Sequence, residues 1–170
     1  MPQFRQLEYD REAAVAYAHR WAYGRNPAYY DFEKIGGDCT NYASQCVFAG
    51  AGVMNYTPVY GWYYISTNNR APSWSSVQYF YDFMVSNQGA GPYGAETGIG
   101  SMEIGDVVQL ATQHPYYHHT PVIVRIDGFP TLGNIYVAAH SFNADMRPLA
   151  SYDIRRIRFL HIEGVRAPIR

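Results

Sequence analysis

Residues 36–46, GGDCTNYASQC, place a cysteine directly behind a Gly-Gly-Asp turn and at the head of a segment with helical apolar spacing. Gly36 and Gly37 permit positive φ, Asp38 fits an N-cap, Ala43, Cys46 and Val47 share the apolar positions, and the Gly50-Ala51-Gly52 break ends the pattern. A helix is therefore predicted with Cys39 in its first turn. Unpaired N–H groups and the helix dipole favour a thiolate at such a place. Asp38 opposes that charge unless its side chain is occupied in capping. Cys46, two turns further on, belongs with packing. Within a helix the two thiols stand about 10 Å apart along the axis, beyond the Cα separation of about 7 Å that a disulfide tolerates, so both are expected to be free.

Upstream, YDREAAVAYAHRWAYG reads as a first helix, capped by Asp10, with Ala14, Tyr17, Ala18 and Trp21 on one face and Gly24 as its stop. His19 lies off that stripe and reads as a surface residue. RNPAYYDFEKIGG is a loop, because Asn26-Pro27 disfavours helix. Downstream, no period holds from Val53 to Ser73, and a long aromatic loop is expected, with a third helix from about Ser75 to Asn87. GAGPYGAETGIG reads as a glycine-rich connector without the spacing of a nucleotide loop. GDVVQLA, HTPVIVRI, NIYVAAH and IRRIRFLHI are short and rich in β-branched residues, the signature of an antiparallel meander. Helices first and strands after predict an α+β domain, with N-terminal helices packed on a C-terminal antiparallel sheet.

The 170 residues suit one domain, 1–170, and the net charge of −1 gives no electrostatic ground for binding nucleic acid. The cluster Arg155, Arg156 and Arg158 reads as a solvated face. No apolar run is long enough to span a membrane. MPQFRQLEYD lacks the order of a secretory signal, which points to the cytoplasm. No cofactor motif is found, so no cofactor is expected. Seventeen tyrosines, eight phenylalanines and three tryptophans are unusual. Most should fill the core boundary, while the segment from Tyr56 to Trp74 is a candidate cleft wall.

A thiol at neutral pH needs a base. His118 and His119 open one strand and must point to opposite faces; His140 ends the next strand, and His161 lies near the end of another. His114 reads as a loop residue and His161 as a core histidine. If the strands around 119 and 140 pair, both histidines fall near one end of the hairpin. Structural zinc on Cys39, His118, His119 and His140 is disfavoured, since the adjacent histidines diverge and no HxxxH or CxxC spacing is present.

GGDCTNYASQC, the PSW before a helix, GDVVQL, HTPVIV and VAAHSFNADMRPL together resemble the bacterial putative amidase domain family, related to the papain-like NlpC-type and CHAP amidases. The likeness runs from YDREAAVAYA to IRFLHI. It implies a papain-like core and a peptide or cell-wall-derived amide as substrate, with a cell-wall or spore association alongside the cytoplasmic reading. It also implies a catalytic set: Cys39 as nucleophile, His119 as general base, His140 as the orienting polar residue and the Cys39 N–H as oxyanion donor. Pro121 departs from the family's strand and implies a strand edge or bulge, which leaves His118 as a rival to His119. Asn143 and Asp145 are rivals to His140. Two functional readings follow: a cysteine-dependent amide hydrolase, or an aromatic-rich binding or structural protein on the same fold with its thiol unused.

Overall fold

The computed structural model describes residues 3–169; Met1, Pro2 and Arg170, the ends of the expected domain, lie outside them. Strand β1 (Phe4–Leu7) leads to helix α1 (Arg11–Trp21), whose N-cap Asp10 accepts the Ala13 N–H at 3.0 Å. Helix α2 (Cys39–Ala51) ends at Gly52 in the left-handed conformation. Almost all of α2 is buried, polar residues included, because it lies between α1, the aromatic segment and the sheet. Its polar side chains are partnered there. Ser44 donates to the Trp74 carbonyl and accepts from Trp62 Nε1, Asn41 accepts from Trp74 Nε1, and Gln45 accepts from the Tyr17 hydroxyl.

The aromatic segment is more ordered than expected. It holds a small hairpin, β2 (Tyr64–Ser66) and β3 (Asn69–Arg70), and a one-turn helix, α3 (Pro72–Ser75), before α4 (Val77–Ser86). Trp62 and Trp74 are fully buried with ring centroids 4.7 Å apart, so they form core and not a cleft wall. The glycine-rich stretch is strand β4 (Gly91–Thr97) instead of a connector. Gly91 takes φ +98, the register shifts between Tyr93 and Gly94, and a Cβ at Gly94 would collide with the His161 carbonyl. Its glycines mark a bulge and a close approach.

Strands β5 (Val107–Ala111), β6 (Val122–Ile126), β7 (Ile135–Ala139) and β8 (Ala144–Pro148) form the meander. Strand β9 (Arg156–Pro168) returns beside β5, and the seven-stranded antiparallel sheet runs β1-β9-β5-β6-β7-β8 with β4 on the other edge of β9. Alternation sorts the side chains. Val107, Val122 and Ala138 join the core beneath the helices, while Val108, Leu110, Ile123 and Val137 build a smaller core on the opposite face. The protein is thus α+β, with its helices covering one face of an antiparallel sheet. Among the described residues no helix is long and apolar enough to cross a membrane.

Candidate active site

Glycines set the approach to α2. Gly36 and Gly37 take φ +84 and +100, and a Cβ at Gly37 would press on Ser141 Oγ at 3.2 Å. Asp38 follows in the N-cap position, yet its side chain does not cap the helix as expected. Its Oδ1 accepts from the Phe32 N–H and from Asn41 Nδ2, both at 2.9 Å, and its Oδ2 lies 2.5 Å from His140 Nδ1. The carboxylate is spent on closing the loop and holding the imidazole.

Cys39 heads α2 with its sulfur 3.5 Å from the His118 carbonyl and 3.8 Å from Thr40 Oγ1. The Thr40 hydroxyl in turn meets Thr120 Oγ1 at 2.9 Å, which pins the first helical turn to the chain entering β6. That entry is irregular at Pro121. The proline carbonyl accepts from the Val108 N–H, and pairing with β5 continues only as the isolated bridge Leu110–His119. His118 and His119 diverge as adjacent strand residues must. The exposed His118 ring turns back to accept from the Thr112 N–H at 3.1 Å, whereas His119 is buried, 8 % exposed.

The His119 ring has no hydrogen-bond partner among the described residues and rests against the Tyr152 ring, centroids 5.5 Å apart. Both open a cavity of about 360 Å³ whose wall includes Thr112, His118, Phe142 and Arg147. A larger groove of about 630 Å³ beside Phe48 and Tyr56 has, among the described residues, no cysteine, histidine or charged side chain in its wall. The smaller cavity is therefore the candidate site.

Electrostatics oppose the expected resting thiolate. Burial pushes the Cys39 thiol above its ordinary pKa, outweighing the Thr40 hydroxyl and the Thr120 and Thr40 N–H groups that pull it down, and the Asp38 charge adds to the rise. Burial also lowers the His119 pKa to about 4, aided by His118 and Arg147. At neutral pH both groups rest uncharged. Cys46 is fully buried and its thiol is pushed up by desolvation; both cysteines are free.

His140 is not part of this cavity wall, although Ser141 and Phe142 next to it are. Its Nδ1 meets Asp38, its Nε2 lies 2.7 Å from the Trp21 carbonyl, and its ring stacks on Tyr42 at 4.0 Å. Arg25 Nη1 lies 3.2 Å from the same Nε2. With both nitrogens engaged, His140 makes no contact to the His119 imidazole. Asn143 accepts from Arg25 Nη2, and Asp145 pairs with His19, so neither reaches His119. His161 bonds Asp106, and the Arg156 and Arg158 guanidinium groups lie over Tyr117. His114 packs on His118 with ring centroids 4.8 Å apart. Sequence reasoning missed Arg147, although it lies within VAAHSFNADMRPL, and Tyr152, which no quoted stretch contains; they arrive through β8 and the 3-10 turn Leu149–Ser151. Among the described residues no three His, Cys, Asp or Glu side chains converge where a metal ion could sit.

A sequence model of the family described as a putative amidase domain matches residues 8–162. The chain is similar to a protein of Bacillus subtilis (strain 168) named uncharacterized protein YhbB, 31% identical over 147 residues, which are 84% of this chain and 45% of that protein. It thus spans less than half the length of this relative. No solved structure matches.

Proposed function

The chain belongs to the putative amidase domain family, and from that premise we propose that it is a cysteine-dependent amide hydrolase with a papain-like arrangement of a nucleophile-bearing helix against an antiparallel sheet. The observation that carries the reading is a helix-leading thiol 3.5 Å from the His118 carbonyl, next in the chain to the buried His119 imidazole, which has no hydrogen-bond partner among the described residues and lines the cavity.

In this reading the Cys39 thiol gives its proton to His119 as the sulfur attacks the amide carbonyl carbon. The displaced π electrons settle on oxygen, and the Cys39 N–H, one of the first-turn donors without an intrahelical acceptor, donates a hydrogen bond to that oxyanion. The C–N bond then breaks, the amine leaves with the proton held by His119, and a thioester remains. Water attacks it with His119 again taking the proton, releasing a carboxylic acid and restoring the thiol. A neutral starting pair suits this sequence because no separated charge has to be buried before substrate enters. His140 acts at one remove, holding Asp38 and so the turn that presents Cys39.

The substrate class is a peptide or cell-wall-derived amide. Incubation with peptidoglycan fragments and mass spectrometry of the products tests the proposal. Products gaining one water per cleaved amide are expected with the native protein and are absent with Cys39→Ala and His119→Ala; cleavage that persists in Cys39→Ala overturns it.

A further inference from the structure

Among the described residues, the cavity lined by His119 carries a single permanent charge. Among the described residues no Asp or Glu contributes to its wall, burial lowers the pKa of His118 and of His119, and Arg147 is left as the one guanidinium. Arg147 pairs with Val137 in the sheet, so its backbone is fixed. Its Nε donates to Ser151 Oγ at 2.8 Å, Nη2 donates to the Ser151 carbonyl at 3.3 Å, and the guanidinium lies 3.6 Å over the Tyr152 ring. The remaining nitrogen, Nη1, makes no hydrogen bond to any described residue, and Arg147 forms no ion pair there. Arg11, Arg25 and Arg125, by contrast, each face a carboxylate.

A guanidinium that is oriented on two sides, unneutralised and set in a cavity wall is a fork for an incoming anion. The Tyr152 ring that supports it also packs on the His119 imidazole, so the fork and the proposed base are neighbours. We infer that the cavity selects amides bearing a carboxylate close to the scissile carbonyl, with Arg147 as the group that receives it. This rests on the hydrolase reading and deepens it. A neutral substrate would leave the cation facing it unmatched, whereas an acidic one gains a charge-assisted hydrogen bond. Arg147 is also one of the causes, after burial and His118, that hold the His119 pKa down. A bound carboxylate would offset that contribution and strengthen the base once substrate is in place.

Two alkylating probes of nearly equal size test this without a known substrate: iodoacetate, which carries a carboxylate, and iodoacetamide, which does not. The ratio of their rate constants at Cys39, divided by the ratio for free cysteine, is expected to be about tenfold or more in the native protein, the scale of local electrostatic focusing. Arg147→Gln, which keeps much of the side-chain stem, should return the ratio to that of free cysteine, and Arg147→Lys should retain most of it. A native ratio equal to that of free cysteine, a ratio unmoved in Arg147→Gln, or failure of both reagents to label Cys39 overturns the inference. His119→Ala separates the two claims: it should slow both reagents and leave the ratio intact. Rates insensitive to His119 with a high ratio would remove the hydrolase reading and keep the anion subsite.

Discussion

The Asp38–Cys39 peptide divides two regions built from the same residue types. On one side, His140 and Asp38 have their ring nitrogens and carboxylate oxygens engaged, by Trp21, Phe32, Asn41 and each other. On the other, His119 has no hydrogen-bond partner, the Tyr152 hydroxyl is buried without one, and Arg147 has no counter-ion among the described residues. A satisfied buried network holds geometry, while unsatisfied groups cost stability and persist where something else is to bind. The contrast teaches that a histidine at a strand end is a lock or a working group according to its partners, and position alone does not say which.

The comparison is broken most directly by exchanging each histidine. His119→Ala should lower amide hydrolysis by about 10²–10⁴-fold, the usual share of a general base, with little loss of stability. His140→Gln should instead cost about 1–3 kcal/mol of unfolding free energy by removing the hydrogen bond to the buried Asp38 Oδ2, which among the described residues keeps only Arg25 Nε at 3.5 Å. Chemical denaturation and turnover measured on both proteins decide the matter; equal destabilisation by the two substitutions would erase the distinction.

A pH series sharpens it. The pKa of His119 is about 4 when folded against 6.5 for the ordinary imidazole. Between those values the unfolded chain binds the extra proton, so stability falls as pH drops from 6.5 to 4 and levels off below. The loss attributable to this residue is roughly 3 kcal/mol. Denaturant melts at pH 7 and pH 4.5 should therefore converge in His119→Phe. Unchanged acid sensitivity would show that the ring is not held neutral by burial.

The smallest effect concerns the β7–β8 turn. Ser141 and Phe142 both take positive φ, at 57° and 63°, and Phe142 is 91 % exposed at the cavity rim. A bulky residue there is strained by about 1 kcal/mol or more. Phe142→Gly should raise Tm by about 2–4 °C. A simultaneous fall in turnover would give the exposed ring a part in holding substrate, and a lower Tm would refute the strain.

Helices α1 and α2 were readable because caps and glycine stops act locally: Asp10 caps as its sequence context suggests, and Gly52 ends α2. Strands β5, β6, β7 and β9 announce themselves through β-branched residues. Strand β4 does not, since its glycines answer to the approach of β9, as Gly94 does to His161, far along the chain. Strand β8, ADMRP, is a polar edge with Met146 at φ +56 and offers no alternation to read. Of the candidate site, the place of Cys39 could be read from GGDC and the divergence of His118 and His119 from strand geometry. Which of them turned inward could not, nor could the pairing of His140 with Asp38, because both depend on how β6 and β7 lie against α2. The expected thiolate failed for a related reason: a helix terminus is visible in sequence, but the desolvation that outweighs it is not.

The account rests on a Cys39–His119 pair that stays uncharged until substrate arrives. NMR titration of the His119 ring in the native protein and in Cys39→Ala measures this directly. The expected result is a neutral ring from pH 5 to 8, protonating with a midpoint of about 4 in both proteins. A ring that is charged at pH 7 and becomes neutral when the sulfur is removed would reveal a resting thiolate–imidazolium pair and contradict the account.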